Sequence, residues 1–423
     1  MVYTFLPNEK LKPMNQKPVY ILGGYQTDFA RNWSKENKHI VAMIREVLEG
    51  GIMETLLPIE DINAAFVANF AGELYVNQGL LGAFLVEADS RLTGIPSTRV
   101  EAACASGSVA ILNAIAFIQA GIYDVVWVVG VEQMKTVGGQ EGSKYLGRAA
   151  WYEKEAKDID FPFPKLFGRL VDVYDKRYGI ETKYLAAIAE KNYANAKRNP
   201  NAQTRNWYMS FDHANTIGEY NRILSGKLRL TDCSHVTDGA VSLFLASSDY
   251  TKKHAKKHNK KLESIPRILG WGQTTAPVEF DKKIRESEKD NYVLLYTRKA
   301  ILHAFKKSGV KNCWDLDLVE THDCFTSAEY MAIDHFGLTA PGESWKAIEN
   351  GVVNFNGKLP FNPSGGLIGV GHPVGATGVR QILDAFKQVN NTAKDYQIEN
   401  ARKVATLNIG GSATTNVCMI IGK

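Results

Sequence analysis

The stretch YDVVWVVG, Tyr123 to Gly130, constrains the fold more than any other part of the chain. Its β-branched residues follow one another without polar alternation, so neither face of the strand they predict can meet water. Such a strand needs helices on both sides of its sheet. Two more glycine-bounded runs, PVYILGG (18 to 24) and NAAFVANF (63 to 70), read the same way. Helical patterns lie between them, in HIVAMIREVLEGG (39 to 51) and SGSVAILNAIAFIQAG (106 to 121). The alternation predicts an α/β fold with layered sheets.

At 423 residues the chain exceeds one ordinary core, and its texture divides it. Residues 1–132 and 229–264 read as one α/β half, with a strand resuming at TDGAVSLFLASS (237 to 248). Residues 265–423 read as a second half. Between the two parts of the first half, 133–228 is rich in Tyr, Lys, Arg and Asn, contains FPFPKLFGRL, and shows one clear helix in ETKYLAAIAEKNYANAKR. It reads as an insertion that forms a lid or ligand-binding flap. The halves also echo each other. CASGSVAILNAIAFI begins at Cys104 and HPVGATGVRQILDAF begins at His372, each placing a reactive side chain before a helix rich in small residues. Two such helices can approach closely and bring both reactive groups to one end.

Composition excludes several classes. The formal charge of +5 is scattered, apart from KKHAKKHNKK (252 to 261), and no nucleic-acid-binding signature accompanies it. A mildly basic balance also suits an anionic small molecule. The five cysteines show neither CxxC pairs nor metal-ligand spacing, which speaks against a disulfide scaffold or a zinc site. The N-terminal stretch lacks the apolar core of a signal peptide, no run approaches a membrane span, and the chain ends MIIGK rather than in a peroxisomal tripeptide. A reducing cytoplasm is the expected location.

Four stretches carry residues capable of chemistry. In EAACASGSVAI, Cys104 precedes a helix whose free N–H groups and dipole would lower its pKa and make it a nucleophile. The competing reading is a small buried hydrophobe. In NPSGGLIGVGHPVGATGVRQ (362 to 381), six glycines surround His372 and Pro373 without the pattern of a phosphate loop. His372 is either the base that deprotonates Cys104 or a hydrogen-bonded turn histidine. THDCFTSAEY places His322, Asp323 and Cys324 at the rim of a strand, where α/β proteins bind ligands. There His322 can donate to an oxyanion, Cys324 can move a proton or simply pack, and Asp323 orients the loop or caps the next helix. Finally, Gly410 and Gly411 in VATLNIGGSATTNVCMII (404 to 421) allow backbone N–H groups to face a ligand, unless they form only a tight hairpin.

In this order the stretches resemble the thiolase superfamily: Cys-x-Ser at 104 to 106, His-Asp-Cys-Phe at 322 to 325, Gly-His-Pro at 371 to 373, and a late Gly-Gly turn. The likeness spans nearly the whole chain. One departure is informative. Common thiolases carry a second reactive cysteine in a Cys-x-Gly turn, where this chain has Asn408-Ile409-Gly410. The sterol-carrier-protein type of thiolase has His-Asp-Cys-Phe and this asparagine, so Cys324 is similar to a relocated second cysteine. Cys418 lies too far into the closing strand to replace it.

The resemblance implies the thiolase fold: two similar βαβαβαββ halves in a five-layered α-β-α-β-α arrangement, with 133–228 as a coenzyme A-binding loop domain. It implies splitting of a 3-ketoacyl-CoA by coenzyme A, or the reverse Claisen condensation, through an acyl group on Cys104. His372 would deprotonate Cys104, His322 would hold the enolate oxygen, and Cys324 would transfer the α-proton. The N–H groups of Cys104 and Gly410 would hold the tetrahedral oxygen, with Asp323 and Asn408 supporting the loops. Coenzyme A and acyl-CoA would be substrates, with no metal or redox cofactor required. A homodimer or homotetramer is expected, and some relatives work beside a small acyl-CoA-binding subunit. Competing readings are a non-catalytic thiolase-like acyl-CoA-binding or scaffold protein, a ketoacyl synthase and, less well matched, a hydroxymethylglutaryl-CoA synthase.

Overall fold

The valine-rich run forms a strand in which every residue is buried. In chain order the strands of the computed structural model, which describes residues 17–423, are β1 Val19–Gln26, β2 Ala64–Ala68, β3 Ser97–Val100, β4 Val125–Glu132, β5 Ile223–Ser225, β6 Leu228–Arg229, β7 Gly239–Ser247, β8 Arg267–Thr275, β9 Leu318–Glu320, β10 Lys403–Gly410 and β11 Thr415–Gly422. Most of the stretch read as lacking a signal-peptide core, residues 1–16, falls outside the described residues.

Nine strands form one mixed sheet in the order β3-β2-β4-β7-β1-β8-β11-β10-β9. The first five come from the first half and the last four from the second, and the two sets have the same layout. β4 pairs antiparallel with β7 as β10 does with β11. β2 runs parallel to β4 as β9 does to β10. The sets join through a short antiparallel contact, Val19 with Ile268 and Tyr20 with Arg267. In the second half the counterpart of β3 shrinks to one parallel bridge between Val319 and Phe361. Pro360 and Pro363 flank that bridge and lack the N–H donors that a longer ladder requires.

The helices Ser106–Gln119 and Thr377–Asn390 pack against each other between the two sets of strands. Ile40–Thr55 covers β1 and β7 outside, and Leu295–Ser308 covers β8 and β11, which completes five layers. The central helices meet backbone to backbone: a Cβ on Gly107 would lie 2.6 Å from the nitrogen of Val379. The small residues noted in both segments are what permit this approach.

Residues 133–228 give the large sheet no strand, and the separate β5-β6 pair lies at their end, with Arg229 of β6 just beyond. Beside the expected helix, here Thr182–Ala196, lies a second long helix, Pro162–Tyr178, which the sequence reading passed over. Pro162 and Pro164 occupy its first turn, where no N–H donor is needed. No helix among the described residues is long and apolar enough to cross a membrane.

Candidate active site

Cys104 lies in the tight turn Ala103–Ala105 that enters the helix Ser106–Gln119. Ala103 adopts φ +51°, a left-handed conformation that costs a non-glycine residue roughly 1 kcal/mol or more. Local bonds hold it there: its N–H donates to Glu101, and Ser106 Oγ accepts from Ala102 N while donating to the Ala103 carbonyl. The N–H groups of Cys104 itself and of Gly411 face the sulfur. Burial nevertheless outweighs them and pushes the thiol up to about 12. The expected lowering by the helix end is therefore absent in the free protein, because the desolvation of a nearly buried thiolate exceeds what two N–H donors return.

His372 lies in the Gly-His-Pro turn before the helix Thr377–Asn390. Its N–H donates to Thr237 Oγ1 at 2.9 Å, and its Nδ1 lies 2.7 Å from Thr377 Oγ1. Burial, with Arg380 adding to it, lowers the imidazole to about 3. His322 follows β9 and is 1% exposed. Burial and then His372 hold it well below its ordinary value. The two rings stand edge to face with centroids 5.2 Å apart. One ring nitrogen of each and the sulfur of Cys104 all lie within 4.8 Å of one another. These three also form a group close enough to hold a metal ion.

Cys104, Cys324 and His372 line one cavity of about 500 Å³, which Phe70, Phe163 and Phe325 help to wall. Cys324 is nearly buried, and burial raises its thiol well above the ordinary value. Cys418 is fully buried in β11 opposite Leu407 and does not line the cavity. Gly411 lines it and Gly410 does not, but Gly410 has its own constraint: a Cβ there would lie 2.3 Å from the Ala102 carbonyl oxygen, beside the turn that carries Cys104.

Asp323 does not cap the helix that follows it, Thr326–His335, whose N-cap is Phe325 with no side-chain bond. It accepts from Leu367 N, Ile368 N and Asn192 Nδ2, which ties the His-Asp-Cys loop to the start of the helix Gly366–Val370 and to the inserted segment. Burial, and then the nearby Glu329, pushes its carboxyl up to about 7. Asn408 Nδ2 donates to the Cys104 carbonyl at 3.0 Å and lies 3.2 Å from His322 Nδ1, while its Oδ1 accepts from Ser108 at 2.8 Å.

Several participants went unnoticed in the sequence. Glu132, at the end of β4, accepts from Asn69 Nδ2 and from the N–H groups of Phe70, Ala71 and Gly375. A lone carboxylate closing an apolar strand was the available signal. Lys283, 4% exposed, donates to Ser412 and Thr414 and braces the Gly-Gly turn. Cys233 also lines the cavity. Thr377 carried no signal beyond its place five residues after His372.

Residues 19–206 match the family described as thiolase, N-terminal domain, and residues 280–423 match the thiolase C-terminal domain-like family. The acetyl-CoA acetyltransferase of Methanothermobacter thermautotrophicus is 30% identical over 409 residues, covering 96% of this chain and 100% of that protein. The chain belongs to the thiolase family. This thiolase is also 28% identical to sterol carrier protein 2 of Gallus gallus over 405 residues, 93% of the chain and 70% of that protein. Its fold is that of human mitochondrial 3-ketoacyl-CoA thiolase, with a TM-score of 0.69 at 16% identity over 96% of this chain and 99% of the other.

Proposed function

We propose that this thiolase transfers acyl groups between coenzyme A and a 3-ketoacyl-CoA through an acyl group on Cys104. The observation that carries the reading is the meeting of the Cys104 sulfur with ring nitrogens of His322 and His372 at a cavity that Cys324 also lines. Both histidines are neutral at neutral pH and the resting thiol is protonated. The proton of Cys104 therefore passes to His372 as the sulfur bonds to the 3-keto carbon, when negative charge moves onto the ketone oxygen. The N–H groups of Cys104 and Gly410 receive that oxygen, and Gly411 stands beside them.

Collapse of this intermediate breaks the bond between the keto carbon and the α-carbon. The electron pair leaves with the shorter thioester as its enolate, whose oxygen His322 holds by donation and whose carbon Cys324 protonates. The proton held by His372 then passes to the Cys324 sulfur, and coenzyme A gives its thiol proton to the freed His372 as it attacks the acyl-cysteine. Cys104 leaves and takes that proton back, and the reverse sequence forms a carbon–carbon bond. Lys165 and Arg222 line the same cavity from the inserted segment and would meet the phosphates of coenzyme A by charge-assisted hydrogen bonds. No metal or redox cofactor enters these steps. A homodimer or homotetramer belongs to the same proposal, and sedimentation tests it.

The deciding experiment is the intact mass of the protein after brief incubation with acetoacetyl-CoA and acid quench. An acetyl-sized gain on the native chain that a Cys104→Ala variant lacks supports the proposal. No gain with acetoacetyl-CoA or with longer 3-ketoacyl-CoAs would favour a thiolase-fold protein that binds acyl-CoA without turning it over.

A further inference from the structure

We infer that Asn408 and Thr377 are positioning residues that hold the two active-site histidines in opposite tautomers, His322 with its proton on Nε2 and His372 with its proton on Nδ1. The inference rests on the proposed roles of His322 as donor and His372 as base, and it supplies what those roles require. Two neutral imidazoles whose centroids are 5.2 Å apart are chemically the same group until something fixes which nitrogen carries the proton.

The orientation of Asn408 follows from its neighbours. The Cys104 carbonyl oxygen, 3.0 Å away, can only accept, so the asparagine atom facing it must be the amide nitrogen. A flipped amide would set two acceptor oxygens against each other. With the nitrogen so placed, its second N–H is the one directed at His322 Nδ1, 3.2 Å away, and Oδ1 receives the Ser108 hydroxyl at 2.8 Å. His322 Nδ1 must then accept, because a protonated Nδ1 would oppose a donor. The proton of this neutral ring is left on Nε2, where it can be donated.

His372 is fixed by the opposite device. Thr377 Oγ1 lies 3.0 Å from the carbonyl oxygen of Pro373, which can only accept, so the single hydroxyl proton is donated there. Oγ1 is then free only to accept from His372 Nδ1 at 2.7 Å. His372 keeps its proton on Nδ1 and presents a bare Nε2, the form that can take a proton from Cys104. A donor imidazole and an acceptor imidazole thus meet beside Cys104, and His372 lines the cavity.

The inference also gives position 408 a function. A cysteine there has one weak donor and could not serve both the Cys104 carbonyl and His322. With the second cysteine at 324, an asparagine at 408 can join the turn carrying the nucleophile to the histidine beside Cys324.

The test is nitrogen NMR of the full chain with 15N-labelled histidine at neutral pH, with His322→Gln and His372→Gln used to assign the two rings. The expected spectrum shows His322 with a protonated Nε2 and bare Nδ1, and His372 with the reverse. The same tautomer in both rings, a charged ring, or a proton on His322 Nδ1 would overturn the inference. Asn408→Asp offers only acceptors, so it should move the His322 proton to Nδ1 and slow α-proton exchange of acetyl-CoA about 10²- to 10³-fold. If that variant does not fold, the native spectrum still decides. Opposite tautomers in a protein that never acylates Cys104 would support the inference and remove the thiolase reaction.

Discussion

Glu132 reaches across 243 positions of sequence to accept the N–H of Gly375 at 2.9 Å. Through the same carboxylate it holds the N–H groups of Phe70 and Ala71, so one buried side chain ties the wall of the cavity to the turn that carries His372. Four donors converge on it, yet burial pushes it up to about 7.

Glu132→Ala should therefore be among the most damaging single changes outside the reacting groups. It would leave three buried backbone donors without a partner, and each orphan costs roughly 1 to 3 kcal/mol. A loss of about 3 kcal/mol or more in urea unfolding is expected, with thiolysis lost in the remaining folded protein. A variant as stable as the native chain would show that the loops do not depend on this carboxylate.

Cys324→Ala should separate the two halves of the reaction. Acyl transfer to and from Cys104 does not use Cys324 in the proposed scheme, whereas removal of the α-proton does. Exchange of labelled coenzyme A with acetyl-CoA should persist. Deuterium entry into the acetyl methyl group should fall about 10²- to 10⁴-fold. Equal loss of both activities would place Cys324 in the structure of the site rather than in proton transfer.

Gly107→Ala tests the contact between the central helices. The added methyl group would meet Val379 N at 2.6 Å and Gly378 Cα at 3.0 Å, both backbone atoms that cannot rotate away. Overpacking of this kind typically costs about 1 to 3 kcal/mol. Because these helices carry Cys104 and His372 at their starts, thiolysis should fall by more than the loss of stability explains. Unfolding midpoints beside kcat measured well below the transition would check both.

This contact also shows how far the sequence could be read. Small residues beside a reactive cysteine and beside a reactive histidine are local features, and they indicated a close helix pair before any coordinates. The strands were legible for the same reason, since Val125 to Val129 form an apolar run with no polar face. Glu132 and Asn408 were harder to read because their partners lie far away in the chain: Asn408 bonds Cys104 across 304 positions. The helix Pro162–Tyr178 was not read from the sequence, and its two prolines fit the first turn. Asp323 was expected to orient its loop or cap the next helix, and the partner through which it ties the loop, Leu367 N, lies 44 positions on. The pKa of Cys104 ran opposite to expectation because the helix end is a local signal and the depth of burial is not.

Acid should destabilise this thiolase partly through His372. Its imidazole is held at about 3 when folded, against 6.5 ordinarily, so the unfolded chain takes up the proton first as the pH falls. The folded state keeps this contribution above about pH 6.5 and loses it progressively down to about pH 3, with a slope approaching one proton, ~1.4 kcal/mol per pH unit. Glu132 works in the other direction: its carboxyl is raised from 4.5 to about 7, so its contribution is present at low pH and lost as the pH rises through 7. The difference between the native chain and His372→Gln cancels the Glu132 part. Urea unfolding at several values between about pH 6 and pH 4 should show the variant losing stability less steeply by roughly one proton. His322, displaced in the same direction, leaves a residual slope in the variant. Equal slopes in the two proteins would mean that His372 takes up its proton as readily in the folded cavity as in water, and the buried neutral base would have to be abandoned.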